Sequence, residues 1–168
     1  MVTSRDIIIK WTAYGVAAAL LLFLNELLLR GVTVLGVHAF LPPLLAAVVA
    51  TMEDTRPAVI FGIVFGLLCD LAIPGAFPCL YTLAFTAAAL TASLMAKSVV
   101  QPGPLCSLIA TALAFVYTDA LNMLSLWART GAAFRPMLLL AAEETLVSCL
   151  LLAAVYPALT FVHRKFTL

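Results

Sequence analysis

Five carboxylic acids lie inside long apolar segments of this 168-residue chain. They are Glu26, Asp70, Asp119, Glu143 and Glu144. An ionisable side chain at the centre of a membrane helix costs about 2.5–3.5 kcal/mol on insertion scales, so it usually faces the bundle interior or a water-filled cavity. Acids in such places bind ligands, conduct ions, or hold helices in register through ion pairs. These acids are therefore the main candidates for chemistry.

Three interpretations of the acids remain open: an internal network, an outward-opening pocket and an ion path. Glu26 precedes Arg30 by four residues, which is the favourable order for a local ion pair on a helix. Arg129 and Arg135 are expected on the same side of the membrane and extend the predicted buried polar network. An ion path needs polar residues at several depths, and the inner half of the segments has almost none. The pattern therefore favours a network over a pocket, and a pocket over an ion path.

Composition identifies the elements that must position these acids. The chain is 65% hydrophobic and 10% charged, with a mean hydropathy of +1.17. A soluble domain carries about 25% charged residues, so a soluble enzyme is excluded. Disorder is excluded as well, because disordered chains have low hydrophobicity and high charge. The net charge of +1 shows no basic surface for nucleic acid.

No motif for catalysis, a cofactor or a metal is present. The sequence contains no P-loop, G-x-S-x-G, H-E-x-x-H or G-x-G-x-x-G. The four cysteines form no C-x-x-C pair, and neither His38 nor His163 lies at metal-ligand spacing. We expect a protein that is not an enzyme and that uses no metal or cofactor.

Six apolar segments are near the length of about 20 residues that a spanning helix requires. They predict an all-α, polytopic membrane bundle of about six transmembrane helices in one domain, residues 1–168. The second segment is interrupted by His38 and by the Pro42-Pro43 pair. The candidate spans are Trp11–Leu29, Val34–Met52, Pro57–Ile73, Cys79–Ala96, Pro104–Trp127 and Met137–Val162.

The basic residues orient this bundle. One side is predicted to carry Arg5, Lys10, Arg56, Lys97, Arg164 and Lys165, and the other Arg30, Arg129 and Arg135. The positive-inside rule then places both termini in the cytoplasm and the five acids in the outer half of the membrane. The remaining acids, Asp6, Glu53 and Asp54, fall in cytoplasmic segments and need no special explanation there.

The third segment carries a stripe of Gly62, Gly66 and Asp70 at intervals of four residues. Residues spaced by four stack on one helix face, and small residues there let another helix approach closely. We expect this face to pack inside the bundle, against the first or fifth span, or to form a groove for a partner's helix.

Several of these residues together resemble the rod shape-determining MreD family. The best-marked part is Gly62-x-x-x-Gly66-Leu67-Leu68-x-Asp70-Leu71, followed by Gly75. Other similar parts are Ala39-Phe40-Leu41-Pro42-Pro43-Leu44-Leu45, Asp119 in an apolar span, Phe134-Arg135-Pro136, Pro157 and His163-Arg164-Lys165. The resemblance runs from about residue 39 to the C-terminus, and the Glu143-Glu144 pair departs from the family's pattern.

The resemblance implies a non-enzymatic scaffold of the bacterial elongasome in the cytoplasmic (inner) membrane. Its implied partners are an MreC-like single-span protein, a RodA-like glycosyltransferase, a class B penicillin-binding protein and, indirectly, the MreB filament, besides membrane lipid. The implied helical fold is similar to that of the substrate-binding subunits of energy-coupling factor transporters. Gly62, Gly66, Asp70, Pro42 and Pro43 are then candidates for helix packing or partner contact.

Two other classes stay open. The first alternative is a vitamin-binding subunit of an energy-coupling factor transporter, whose ligand enters from the outer side. Few aromatic residues, chiefly Tyr81, Tyr117 and Trp127, lie near the outer acids, and this tells against a vitamin pocket. The second is a small exporter or ion channel. The inner half of the predicted spans has almost no polar residues, and the two halves of the sequence show no inverted repeat, so this class is disfavoured.

Overall fold

The protein is an all-helical bundle with one very short β-hairpin. The computed structural model describes residues 4–26, 33–34, 37–38, 40–73, 75–98, 101, 103–131 and 134–167. In chain order the elements are α1 (Ser4–Leu24), β1 (Thr33–Val34), β2 (Val37–His38), α2 (Pro42–Met52), α3 (Thr55–Ala72), α4 (Leu80–Ser98), α5 (Pro104–Thr130) and α6 (Phe134–Thr167). The two strands pair antiparallel.

The predicted helical membrane bundle is confirmed. Among the described residues, four helical stretches are long and apolar enough to cross a membrane. They are Thr55–Ala72, Leu80–Ser98, Pro104–Thr130 and Arg135–Ala153. At a rise of about 1.5 Å per residue, an 18-residue helix is about 27 Å long, close to the bilayer's hydrocarbon thickness of about 30 Å. The apolar part of α1, Ile8–Leu24, is somewhat shorter.

The second candidate span, Val34–Met52, is wrong as a spanning helix. The structure replaces it with the β-hairpin and with α2, a helix of 11 residues. Eleven residues rise only about 16 Å, roughly half of the hydrocarbon layer. Proline lacks the N–H that a helix interior requires, so the helix begins at Pro42 and does not extend toward the hairpin.

A helix can begin inside the bundle here because its first donors are removed or satisfied. Residues Pro42 to Thr51 are all buried, where a free N–H group would be costly. Pro42 and Pro43 have no N–H, and the Leu41 N–H donates to Asn25 Oδ1 at 3.2 Å. The proline pair therefore lets α2 start in a place without water.

Two apolar clusters form the core around α2. The larger one contains leucines and valines of α2 and a row of rings on α3 and α4, in which Phe65 stacks on Phe61 at 5.5 Å and on Phe85 at 5.6 Å. The smaller cluster consists of alanines from four helices: Ala47, Ala50, Ala58, Ala88, Ala89, Ala92, Ala110 and Ala114. Alanine's small volume lets helix backbones approach each other closely.

The bundle has two ends, which we name by their chain features. The tail end carries the starts of α1, α3 and α5 and the ends of α2, α4 and α6. The hairpin end carries the opposite helix termini. The described charged side chains that form ion pairs or cap a helix lie near these two ends.

Candidate functional site

A buried charged cluster lies at the tail end, centred on Glu53. The Lys10 ammonium lies 2.6 Å from Oε1 and 2.7 Å from Oε2 of Glu53. The Tyr14 hydroxyl donates to Oε1 at 3.0 Å, and Nδ1 of His163 lies 3.1 Å from the same oxygen. The side chain of Glu53 is 7% exposed and that of Lys10 is 13% exposed. We call these four residues the tail cluster.

The tail cluster joins three helices. Glu53 directly follows α2, Lys10 and Tyr14 lie one turn apart on α1, and His163 lies in the last turns of α6. Removing one partner of a buried ion pair costs about 3–5 kcal/mol, because the other charge is left uncompensated. The cluster therefore fixes α1 and α6 to the end of α2.

The interpretation of Glu53 as a cytoplasmic residue that needs no explanation is wrong, because its side chain is buried in the tail cluster. Hydropathy assigns a charged residue between two apolar segments to a loop, and a loop is normally exposed. Here α2 is short and buried, so the residue that ends it remains under α1 and α6. The signal available in the sequence was the one-turn spacing of Lys10 and Tyr14, which places both polar groups on one face of α1.

The neighbouring acid, Asp54, is exposed, as expected for a residue in a loop. Its side chain is 81% exposed and pairs with Lys97 of α4 at 2.8 Å. The Lys97 ammonium, through this hydrogen bond and its charge, lowers the pKa of Asp54 below its ordinary value. An exposed pair of this kind contributes little to stability, because water screens it.

Asp70 caps the start of α4 at the hairpin end. One carboxylate oxygen accepts the Tyr81 N–H at 2.9 Å, and the other accepts the Thr82 N–H at 3.0 Å and the Thr82 hydroxyl at 2.6 Å. The first N–H groups of a helix have no acceptor within the helix, and they carry partial positive charge. Asp70 therefore satisfies the first donors of another helix. Arg30, its expected partner, lies outside the described residues.

The glycine stripe brings Asp70 into this position. A Cβ atom on Gly62 would lie 2.8 Å from the Phe85 carbonyl oxygen, and one on Gly66 would lie 2.5 Å from the Thr82 Cα. Both glycines thus face α4, so the expectation of packing against the first or fifth span is wrong. The stripe is occupied by α4 and offers no groove to a partner. Hydropathy could not identify this neighbour because every span is apolar.

Substituting Asp70 should weaken the joint between α3 and α4. We expect Asp70→Asn to lower the free energy of unfolding by about 1–2 kcal/mol, because an amide has one acceptor oxygen and no charge to replace two carboxylate oxygens. Thermal unfolding in detergent measures the effect. Glu143→Gln, at an exposed acid, is the matched control and should unfold like the wild type.

Three acids of the hairpin end lie near Tyr81. This buried ring lies within electrostatic range of Glu26, Asp70 and Glu144, and Phe40 packs on it at 5.7 Å. Asp119 of α5 interacts electrostatically with Glu144 of α6, and both are half-buried. Within the described residues, no hydrogen bond or ion pair reaches the carboxylates of Asp119 and Glu144.

The predicted buried polar network is only partly present. Glu143, Arg129 and Arg135 are exposed, so the expectation that they are buried is wrong. Glu143 and Glu144 are adjacent, and successive residues point about 100° apart on a helix, so only one of them faces the bundle. Arg129 and Arg135 lie in the terminal turns of α5 and α6, and neither forms an ion pair with an acid in the described ranges.

Where the chain is described, no three side chains of His, Cys, Asp or Glu are grouped so that they could hold an ion. Cys69 and Cys106 are buried as free thiols, which pack as small apolar groups.

The fold and these clusters define a polytopic helical bundle in which the contacts of Glu53, Asp54 and Asp70 connect different helices. Comparison with known proteins adds no narrower assignment: no protein family, curated protein or solved structure matches this chain.

Proposed function

We propose that the chain is a non-enzymatic scaffold of the MreD type in the bacterial cytoplasmic membrane. In this proposal it binds an MreC-like single-span protein, a RodA-like glycosyltransferase and a class B penicillin-binding protein, and thereby supports lateral peptidoglycan synthesis and rod shape. The MreB filament is an indirect partner. Both termini lie in the cytoplasm.

One observation carries the proposal most directly. The residues on which the resemblance depends most, Gly62, Gly66 and Asp70, act together as one joint between α3 and α4. A motif that assembles the bundle suits a scaffold, because a scaffold acts through its folded shape and its binding surfaces and not through catalysis. The charged tail cluster also joins helices, so the polar chemistry of both ends supports rigidity.

The outer surface of the bundle offers broad apolar contact areas. Large apolar side chains are exposed on α1, α3, α5 and α6, among them Leu20, Val64, Val116 and Leu150. In a membrane, helix association depends on close packing and on hydrogen bonds rather than on apolar burial alone. These faces can therefore contact either lipid or the spans of partner proteins.

Co-purification tests this proposal. The tagged protein is extracted from its native host in mild detergent, and bound proteins are identified by mass spectrometry. An unrelated polytopic protein with the same tag and expression level is the control. Enrichment of an MreC-like protein together with a RodA-like or penicillin-binding protein is the expected result. Their absence, when the bundle itself is intact by size-exclusion chromatography, would contradict the proposal.

A second candidate is a small-molecule binding subunit of an energy-coupling factor transporter. It is favoured by the half-buried carboxylate of Glu144, which lies near both Tyr81 and Asp119, because placed polar groups near an aromatic ring are typical of ligand sites. The same experiment distinguishes the two. Recovery of ATPases with a large membrane coupling subunit would favour the transporter.

A further inference from the structure

A polar cavity of about 560 Å³ opens at the tail end, between α2, α5 and α6. Four hydroxyl-bearing residues line it, Thr51, Ser107, Tyr156 and Thr160, together with His163. No acidic residue is among the described residues that line it. Its described lining therefore carries no carboxylate of its own, although His163 contacts Glu53 through Nδ1.

Three of these hydroxyl groups, those of Thr51, Ser107 and Thr160, already donate their protons within the protein. Thr51 donates its proton to the Val48 carbonyl at 2.8 Å, so Ser107 is the donor in the 3.0 Å bond between these two hydroxyls. Thr160 donates within its own helix, 2.9 Å from the Pro157 carbonyl oxygen. With each proton used, the oxygens have only lone pairs left. They suit a ligand group that has several N–H donors.

The start of α5 supplies the complementary charge. Gly103 and Pro104 line the cavity at the first turn of this 27-residue helix. Pro104 has no N–H, so the donors at this helix start are the N–H groups of Gly103, Leu105 and Cys106, which carry partial positive charge and favour an anion such as a phosphate. The cavity thus has acceptors on one side and a weakly positive helix terminus on the other.

An apolar groove continues from the cavity along α5 and α6. It has a volume of about 430 Å³ and shares Pro104 and Tyr156 with the polar cavity. Leu105, Leu108 and Leu152 line its walls, and Ala153 leaves space between them. From Tyr156 to Cys149 the groove follows α6 for about 10 Å, which is two turns. This length matches the upper part of a lipid acyl chain.

We infer that the polar cavity and the apolar groove together bind one phospholipid with a primary-ammonium headgroup, of the phosphatidylethanolamine class. Its ammonium group donates to the hydroxyl oxygens of Thr51, Ser107 and Thr160. Its phosphate lies at the start of α5, and one acyl chain occupies the groove. This inference does not depend on the proposed scaffold function, because it concerns the bundle's own lipid.

Headgroup competition tests the lipid site. The full chain is reconstituted in nanodiscs with equal parts phosphatidylethanolamine and phosphatidylcholine of identical acyl chains, and retained lipid is measured by native mass spectrometry. The choline headgroup has no N–H donor, so the comparison isolates the proposed hydrogen bonds. Loss of one such bond corresponds to about a fivefold change in occupancy, and we expect enrichment of at least that size. Equal retention would overturn the inference, as would preferential retention of phosphatidylglycerol in a third mixture.

Two variants locate the site. Thr160→Val removes an acceptor with little change of shape and should reduce the enrichment, and Ala153→Trp should abolish retention by filling the groove. Thr145→Val is the matched control, because the Thr145 hydroxyl also bonds its own helix but lies outside the cavity. The inference fails if Thr160→Val and Ala153→Trp both retain the lipid as the wild type does. Size-exclusion chromatography confirms that each variant is folded.

Discussion

Glu53→Leu is expected to lower the free energy of unfolding by about 3–5 kcal/mol, the largest loss from any single polar substitution considered. The leucine fills the space but leaves the Lys10 ammonium, 13% exposed, without its carboxylate. It also removes the acceptor of the Tyr14 hydroxyl. The change is measured by unfolding the purified protein in mixed detergent, with circular dichroism as the signal.

Two further variants show whether the tail cluster causes that loss. Asp54→Leu changes the adjacent acid, which is 81% exposed, and should have a small effect. The double variant Lys10→Met with Glu53→Leu removes both charges and should recover much of the stability, because apolar replacement of a whole buried pair is often neutral. Equal destabilisation by Glu53→Leu and Asp54→Leu would show that the tail cluster has no structural role.

Gly66→Ala is expected to destabilise the bundle by about 3 kcal/mol, although alanine normally favours a helix. The added Cβ would lie 2.5 Å from the Thr82 Cα and 2.8 Å from its backbone nitrogen. Backbone atoms cannot rotate away as a flexible side chain can, so α3 and α4 must separate. The separation also lengthens the hydrogen bonds from Tyr81 and Thr82 to Asp70.

Gly15→Ala on α1 is the matched control, since nothing lies within 4 Å of its added Cβ. There the substitution should stabilise the protein by about 0.5–1 kcal/mol through helix propensity alone. The two glycine-to-alanine changes thus have opposite expected signs. A Gly66→Ala variant as stable as the wild type would contradict the close contact between α3 and α4.

Periodicity in the sequence predicted the shared face of Gly62, Gly66 and Asp70 correctly, because four-residue spacing is a local property of a helix. Which helix this face contacts depends on the tertiary structure. Soluble helices signal it through a polar and an apolar side, but a membrane helix is apolar towards both lipid and protein. For that reason the contact with α4 could not be identified from the pattern.

The second apolar segment also shows that hydropathy does not predict the tertiary environment of a helix. Its prolines predicted an interruption, and the structure has one, but hydropathy could not show that the remaining helix is buried instead of spanning. Glu53 was misjudged for a related reason. Its environment depends on where α2 ends relative to α1 and α6, and charge counts along the chain carry no such information.

The short length of α2 has a consequence for how the protein is made. An 11-residue helix cannot be inserted into lipid as a stable unit, since about 20 apolar residues are needed. Its backbone and its buried end, Glu53, require neighbouring helices before they leave water. We therefore expect α2 to enter last, after the longer helices have been inserted by the translocation machinery. Damage to α2 should thus be observed in the cell as incomplete assembly and degradation of the whole chain.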